Sequence, residues 1–414
     1  MAGFPETPGR PEETPGPGPE RILVHRVIAR LNIGGPAMHV VNLALGLDHG
    51  GAFKTRLIAG SITGDEGDMG YYARERGVEV TRLPELSRLV SPLNDLKILW
   101  SLYRLFRRER PVIVHTHTAK AGTLGRLAAF LAGVPIRIHT FHGHVLGGDY
   151  FSPEVTRFYL EVERQLARIS QRLVVLTRRQ KKEMTDELRV APGKRFAVVP
   201  LGLELERFAQ VDRQPARIAT RDALGIGQDE VVVGIVGRMV PVKNHELLFQ
   251  AHPLLEAALG CPVRILVVGS GLREAEVRAH VEGLGTGERV TWLGWRQDLP
   301  QLYPAMDALA LTSFDEGTPV AVLEALAAGT PVAARGVGGV AEVLEGMELA
   351  TLIEEATPEA VAAGLLEVLE KERGAETLAA AQRRVVERYS VERLAADMAA
   401  LYAEELKMAG MGAG

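Results

Sequence analysis

The chain has 414 residues, 46% of them hydrophobic and 24% charged, a composition typical of a globular protein of about two domains. No apolar run reaches the length of about 18 residues that a transmembrane helix needs. The net charge is only −4, and the single cysteine, Cys261, excludes an internal disulfide, so we expect a cytoplasmic protein.

Residues 1–20 are rich in proline, glycine and glutamate and contain no apolar stretch. We therefore expect a disordered tail there and no secretory signal.

From residue 21 onward, strand and helix patterns alternate, which predicts parallel sheets with crossover helices. The strands predicted in the first half are Ile22–Ala29, Thr55–Ala59, Val78–Leu83, Val112–His115, Ile136–Thr140, Leu173–Leu176 and Phe196–Val199. The helices predicted between them include Gly35–Leu47, Leu93–Arg108, Ala119–Leu131, Pro153–Ile169 and Arg178–Leu188.

A pair of glycines, Gly34 and Gly35, follows the first strand. Bare backbone lets a ligand approach a strand-to-helix turn closely, although a tight turn by itself would also use glycine.

The helix Leu93–Arg108 is amphipathic, with Trp100 among its apolar residues and Arg104 among its basic ones. It lies in a basic region, since Ser91–Pro200 holds 19 lysines and arginines against 9 acidic residues. Two interpretations stay open: the helix lies on an anionic membrane surface, or it packs on the core with a solvated basic face. A nucleic-acid partner has only this charge in its favour, and no nucleic-acid motif accompanies it.

Five histidines lie at or just after the ends of the fourth and fifth predicted strands: His115, His117, His139, His142 and His144. Their spacing allows metal ligation, but no adjacent aspartate or glutamate completes a site. We interpret them as residues at strand ends and predict no metal.

The second half restarts after a segment with little apolar periodicity, residues 206–227, that we interpret as a linker. Its predicted strands are Val231–Val236, Val263–Val268, Val290–Leu293, Ala308–Leu311, Pro331–Ala334 and Ala350–Ile353. These patterns predict two Rossmann-like domains, residues 21–205 and 228–389, and a C-terminal helix, residues 390–414, that packs back on the first domain.

Two basic residues follow the strand Val231–Val236 where ligands bind in open α/β sheets. Arg238 can grip a phosphate with its planar fork, and Lys243 adds a point charge. A later turn, Gly269 to Gly271, lacks the third glycine of a dinucleotide fingerprint because residue 274 is glutamate, so a redox cofactor is not expected.

The run Ser313–Val332 predicts a strand end, a glycine loop, a short helix and another strand. Thr318 is predicted to cap the helix, Pro319 to be its first residue and Gly329 to end it. The helix start, at Gly317 to Val320, suits a phosphate because free N–H groups and the positive dipole end lie there. Glu316 and Glu324 flank this start and suit hydroxyl-rich groups, because carboxylates are strong acceptors.

In this order, Arg238 and Lys243 followed by glutamates at 316 and 324 resemble the donor site of the retaining glycosyltransferases of the GT-B fold, family 4. The stretch from His115 to Gly143 is similar to members that assemble bacterial polysaccharides. The resemblance implies an α/β GT-B fold, in which two Rossmann-like domains face each other across a cleft.

The resemblance also implies roles for single residues. Arg238 and Lys243 would hold the diphosphate of a nucleoside-diphosphate sugar, Glu324 the ribose and Glu316 the transferred sugar. His142 would face that sugar, with His144 as the runner-up, and Gly34 and Gly35 would form the N-terminal loop at the donor. The acceptor would be a glycan, a polyprenyl-linked sugar or a small molecule, reached at the inner face of the membrane, without a metal ion or other cofactor.

Three other functions stay open at this point: a nucleotide-sugar epimerase or hydrolase of the same fold, a non-catalytic nucleotide-sugar-binding or scaffold protein, and a nucleic-acid-binding protein. The epimerase or hydrolase would need acid–base carboxylates in the cleft, and the ordered set of Arg238, Lys243, Glu316 and Glu324 favours transfer instead.

Overall fold

Two parallel sheets organise the chain in the computed structural model, which describes residues 21–62, 67–86, 91–143, 152–371 and 374–411. The predicted tail at residues 1–20 lies outside these ranges. Most strands of the second sheet read as continuous apolar runs, as expected of parallel strands buried on both sides, whereas three strands of the first sheet, Ile22–Ile28, Ile113–His117 and Ile136–Phe141, also carry buried polar residues.

The first sheet has seven strands in the order β3-β2-β1-β4-β5-β6-β7. They are β1 (Ile22–Ile28), β2 (Phe53–Gly60), β3 (Val80–Leu83), β4 (Ile113–His117), β5 (Ile136–Phe141), β6 (Arg172–Val175) and β7 (Phe196–Val198). The helices of this half are α1 (Gly35–His49), α2 (Gly70–Glu75), α3 (Pro92–Glu109), α4 (Ala119–Leu131), α5 (Pro153–Arg168) and α6 (Arg178–Lys182).

The second sheet has six strands in the order β10-β9-β8-β11-β12-β13. They are β8 (Val231–Val236), β9 (Val263–Val268), β10 (Val290–Gly294), β11 (Ala308–Leu311), β12 (Val332–Arg335) and β13 (Ala350–Ile353). The helices from residue 206 onward are α7 (Glu206–Ala209), α8 (Arg213–Leu224), α9 (His245–Leu259), α10 (Glu274–Gly283), α11 (Leu299–Leu302), α12 (Val320–Ala327), α13 (Val340–Leu344), α14 (Pro358–Glu370), α15 (Ala375–Tyr389) and α16 (Val391–Met408).

The predicted α/β class with two Rossmann-like domains is confirmed, and every predicted strand is present within two residues of its expected ends. The structure adds detail to three of the predicted segments. Strand β4 extends two residues beyond its predicted end, to His117, whose ring is buried. The predicted helix Arg178–Leu188 is α-helical to Lys182 and continues as a π-helix over Glu183–Glu187. The segment 206–227 is mostly helical, since it contains α7 and α8.

The order of strands reverses once in each sheet, between β1 and β4 and between β8 and β11. At such a switch point the loops leave the sheet in opposite directions and open a crevice at the carboxyl ends of the strands. These two crevices hold most of the residues singled out from the sequence.

The chain crosses between the domains near Leu203 and again near Tyr389, and the two crossings pair, because the Leu203 N–H donates to the Tyr389 carbonyl at 2.8 Å. Helix α16 then packs on the first sheet, where Leu394, Met398 and Tyr402 join a core with strand residues such as Val24. No helix in the described ranges is both long and apolar enough to cross a membrane.

Helix α16 lies so close to α1 that a methyl group does not fit between them. A Cβ on Gly46 of α1 would meet the Ala395 Cβ of α16 at 2.7 Å. This close approach is therefore a steric requirement for the return of the C-terminal helix.

We expect Gly46→Ala to lower the thermal unfolding midpoint. Overpacking costs about 1–3 kcal/mol, which exceeds the gain of about 1 kcal/mol in helix propensity. Gly283→Ala is the matched control, since a Cβ on this glycine of α10 meets nothing within 4 Å. The measurement is a thermal melt of both variants; a Gly46→Ala protein as stable as Gly283→Ala would contradict the steric requirement.

Candidate active site

Two side chains contact one carboxylate on the loop after β11, that of Glu316: Ser313 comes from the end of β11 and Lys243 from the segment that follows β8. The Lys243 ammonium lies 2.6 Å from Glu316 Oε1, and the Ser313 hydroxyl donates to the same oxygen at 2.6 Å. Glu316 is 9% exposed and Ser313 is fully buried, so the carboxylate is held in one orientation before any ligand arrives. The sequence predicted Lys243 and Glu316 but missed Ser313, because a serine at a strand end carries no distinguishing pattern.

Helix α12 begins one residue later than predicted. Val320 is its first residue and Pro319 its cap position, while the Thr318 side chain makes no capping bond and its buried hydroxyl oxygen has no partner in the described structure. The backbone dihedral of Pro319 is extended, which makes the proline the last residue outside the helix. Gly329 ends the helix in the left-handed region, at φ 71°, as predicted.

Arg238 is exposed at the carboxyl end of β8. The turn from Gly269 to Gly271 packs against the loop that carries it. A Cβ on Gly269 would meet the Gly237 carbonyl at 2.0 Å, and one on Gly271 would meet the Met239 carbonyl at 2.5 Å. Both glycines are thus explained by backbone packing. Gly338 likewise packs against the loop after β11, since a Cβ on it would meet the Glu316 carbonyl at 1.7 Å.

Glu324 is buried inside α12, where it accepts a hydrogen bond from the Tyr303 hydroxyl at 2.9 Å. Burial raises the pKa of Glu324 to about 7, because the charged carboxylate loses its hydration, and the hydrogen bond from Tyr303 only partly offsets this. Near neutral pH both the protonated and the ionised form of Glu324 are therefore populated. Tyr303 was not predicted, because it lies 21 residues away and no motif marks it.

Two loops of the first domain touch the start of α12 from across the cleft. A Cβ on Gly35 would lie 3.4 Å from the Val320 side chain, and one on Gly317 would lie 2.8 Å from the His142 carbonyl. Gly34 has φ 149°, a conformation that side chains rarely adopt. The structure thus brings the predicted residues of both domains to one cleft.

Three histidines of the first domain, His115, His117 and His142, form a connected network with Arg26. His117 Nδ1 lies 2.9 Å from His142 Nε2, and Arg26 donates to His117 Nε2 at 3.1 Å. His139 contacts the Thr116 hydroxyl at 2.9 Å and lies against Gly122, so its role is packing. His144 lies outside the described residues.

Burial is the main cause that lowers the pKa of His142 to about 3, and the nearby Arg26 charge lowers it further. Burial likewise holds the pKa values of His39 and His117 well below their usual range. These rings are therefore neutral at physiological pH.

One group in the described structure has the geometry of a metal site: ring nitrogens of His39, His117 and His142 lie within 4.8 Å of one another. Its chemistry fits a hydrogen-bond network better than a metal. A neutral histidine that binds a metal through one nitrogen carries its proton on the other, and a protonated His117 Nε2 could not accept from Arg26. The buried guanidinium would also repel a divalent cation.

Three residues of this site were missed from the sequence: Arg26, His39 and Tyr402. Arg26 had a visible signal, because a charged residue in the middle of an apolar strand needs buried partners. His39 and Tyr402 lie on helix faces and carry no local signal.

Two family models match the chain. The model of glycosyl transferases group 1 matches residues 216–388, and that of the glycosyl transferase 4-like domain matches residues 34–202. Their boundary coincides with the passage from the first sheet to the second.

Curated relatives match over most of this chain. The UDP-Gal:alpha-D-GlcNAc-diphosphoundecaprenol alpha-1,3-galactosyltransferase of Escherichia coli is 34% identical over 62% of this chain and 66% of its own length. A D-inositol 3-phosphate glycosyltransferase of Geodermatophilus obscurus is 32% identical over 73% of this chain and 69% of its own length. This chain covers only 49% of the length of the D-inositol 3-phosphate glycosyltransferase of Mycobacterium marinum.

Among solved structures, HepE of Anabaena in complex with UDP-glucose superposes with a TM-score of 0.77, covering 93% of this chain and 100% of HepE at 21% identity. At that identity the likeness shows the fold, and it confirms the predicted arrangement of two Rossmann-like domains in the GT-B manner.

We expect Glu324→Gln to change how stability depends on pH. Between its unfolded pKa near 4.5 and its folded pKa of about 7, Glu324 keeps its proton only in the folded protein, so the wild type loses stability as pH rises through this window. Glutamine does not titrate. The difference in the free energy of unfolding between the wild type and Glu324→Gln should therefore change by about 3 kcal/mol from pH 4 to pH 8.

The measurement is the thermal unfolding midpoint of both proteins across this pH range, with Glu376→Gln on the exposed start of α15 as the control. Parallel curves for the wild type and Glu324→Gln would contradict the raised pKa.

Proposed function

The chain belongs to the group 1 family of glycosyl transferases, and from that premise we propose that it transfers a sugar from a nucleoside-diphosphate sugar to a hydroxyl of an acceptor. Transfer would retain the anomeric configuration and need no metal ion. The observation that carries the proposal is the Lys243–Glu316 pair beside the start of α12, opposite Gly35 and His142 of the other domain.

The cations at the carboxyl end of β8 would bind the diphosphate. The Lys243 ammonium has three protons, so it can keep its contact with Glu316 while it donates to a phosphate oxygen. Exposed Arg238 adds a planar fork, and the first N–H groups of α12 add donors without charge. These groups would stabilise the negative charge that develops on the leaving diphosphate. In enzymes that bind a metal ion at the diphosphate, the metal performs this task.

The two carboxylates would bind neutral hydroxyls. Glu316, fixed by Ser313, would accept from hydroxyls of the transferred sugar, and Glu324 from those of the ribose. Ribose hydroxyls favour the ionised form of Glu324, because they donate hydrogen bonds to it.

In the transfer step, the bond between the anomeric carbon and the phosphate oxygen breaks while the acceptor oxygen forms a bond on the same face. The acceptor proton passes to the leaving phosphate oxygen, so that no protein base is required. In this assignment Glu316 is the carboxylate at the transferred sugar, and Glu324, held by Tyr303, is at the ribose, so the two do not act as the acid–base pair of a glycosidase.

The names of the relatives support two kinds of acceptor, a diphosphoundecaprenol-linked sugar and an inositol phosphate. We favour a polyprenyl-linked or glycan acceptor in cell-surface polysaccharide synthesis, because one face of α3 suits a membrane. Leu93, Leu96 and Trp100 on this face are 80%, 63% and 58% exposed. The basic residues Lys97, Arg104, Arg107 and Arg108 are also exposed, where they can contact anionic headgroups at the cytoplasmic face.

We expect Lys243→Ala to lower kcat by several orders of magnitude, because the leaving diphosphate loses a charge that acts mainly in the transition state. The first measurement is a thermal-shift titration against UDP-, GDP- and ADP-sugars in EDTA, followed by transfer assays with the donor that binds. Lys54→Ala, at an exposed lysine of β2, is the control. A near wild-type rate for Lys243→Ala would refute its role, and a requirement for added metal would refute the metal-free mechanism.

We expect the double variant Leu96→Ala/Arg104→Glu to lose binding to vesicles of anionic phospholipid, because it removes apolar and basic contacts of α3 together. Removing one basic contact and reversing its sign should weaken binding about tenfold or more. The matched control is Leu254→Ala/Arg383→Glu, at exposed positions of the second domain. Cosedimentation measures the binding, and equal binding by both variants would contradict a membrane role for α3.

A further inference from the structure

A fully buried arginine lies at the centre of the first sheet. Arg26 of β1 is 0% exposed, and its guanidinium donates at 3.1 Å to His115 Nδ1, to His117 Nε2 and to the Tyr402 hydroxyl. All three recorded partners are neutral. The charge of Arg26 is therefore not cancelled by a carboxylate among these contacts, which is unusual for a buried cation.

Because a guanidinium can only donate, Arg26 determines where the neighbouring rings carry their protons. His117 Nε2 must be the acceptor, so the proton of neutral His117 lies on Nδ1. That N–H donates to His142 Nε2 at 2.9 Å, which places the single proton of neutral His142 on its Nδ1.

His142 Nδ1 is buried and has no partner among the described residues. A buried N–H that lacks a partner costs about 1–3 kcal/mol, which a hydrogen-bond acceptor on a ligand would offset. The ring is also held edge-on by His39 of α1, with centroids 4.9 Å apart, and the backbone of His142 adjoins Gly317 of the loop that carries Glu316.

We propose that Arg26 is a positioning residue that acts through His117 to present His142 Nδ1–H as a hydrogen-bond donor to the transferred sugar. This inference rests on the proposed function, since it assigns how one residue of that site is prepared. It also gives the C-terminal helix a role at the site, because Tyr402 of α16 holds the guanidinium from the other side.

The charge of Arg26 supports the same arrangement. It disfavours protonation of His142, which stays a neutral imidazole with one donor and one acceptor. An imidazolium would donate from both nitrogens and would lose the hydrogen bond from His117.

The test compares two variants, Arg26→Lys and Arg26→Met. Both introduce an unbranched side chain, but only lysine keeps a positive charge and a hydrogen-bond donor. We expect Arg26→Met to lower kcat about 10-fold to 100-fold, the loss of one positioned hydrogen bond, with little change in the KM for the donor. Arg26→Lys should recover most of the rate. Nitrogen-15 spectra of histidine-labelled protein should show His142 Nδ1 protonated in the wild type and in Arg26→Lys, and partly unprotonated in Arg26→Met.

If Arg26→Met does not fold, His117→Asp provides a second test. A carboxylate at this position can only accept, so at pH 8, where His142 is neutral, the proton of His142 should move to Nε2 and kcat should fall. His117→Asn, of equal size and able to donate, should retain more activity.

A His142 signal that shows the proton on Nε2 in the wild type would overturn the inference, as would equal kcat values for Arg26→Met and Arg26→Lys. The spectra do not depend on turnover. A wild type without transferase activity but with Nδ1 protonated would therefore refute the proposed function while supporting the arrangement of protons.

Discussion

Parallel sheets impose the constraint on which the rest of this structure depends. In a parallel sheet all strands end at the same edge, so the loops that follow them gather there, and the reversal of strand order opens a crevice between two of them. Here both sheets turn that edge toward one cleft, and the loop after β11 meets the loops after β1 and β5 across it. The return of α16 to the first sheet ties the two halves together.

Within this cleft the polar side chains are held before a ligand binds. Glu316 is fixed by Lys243 and Ser313, Glu324 by Tyr303, and His142 by His117. Burial makes each arrangement well defined, because an alternative orientation would leave a buried polar atom unpaired. It also shifts the protonation equilibria: burial raises the pKa of Glu324 and lowers that of His142. A carboxyl poised near neutrality and an imidazole kept neutral are both suited to binding uncharged hydroxyls beside a charged diphosphate.

Most elements could be predicted from the sequence, because each depends on a pattern that spans a few residues. The strand Val231–Val236 is predicted to the residue, since its apolar run ends at a glycine. Where the structure differs in detail, the physical cause can be named. Thr318 has the chemistry of a cap, but the extended Pro319 delays the helix, and residues 206–227 form helices because α7 and α8 pack against neighbouring elements of the second domain. His117 was placed after the strand because no short pattern reveals that its ring is buried.

The sequence by itself determined the fold class and the family resemblance, and it singled out the residues proposed to bind the donor, Arg238, Lys243, Glu316 and Glu324. These follow from periodicity and from motifs whose members lie close together in the chain. Only the tertiary structure decided which partners hold those residues and how the histidines share their protons. Arg26 and His115 are 89 residues apart, and Arg26 and Tyr402 are 376 apart. No local pattern encodes such contacts, because they exist only after the strands of the first sheet have paired and the returning helix α16 has packed on them.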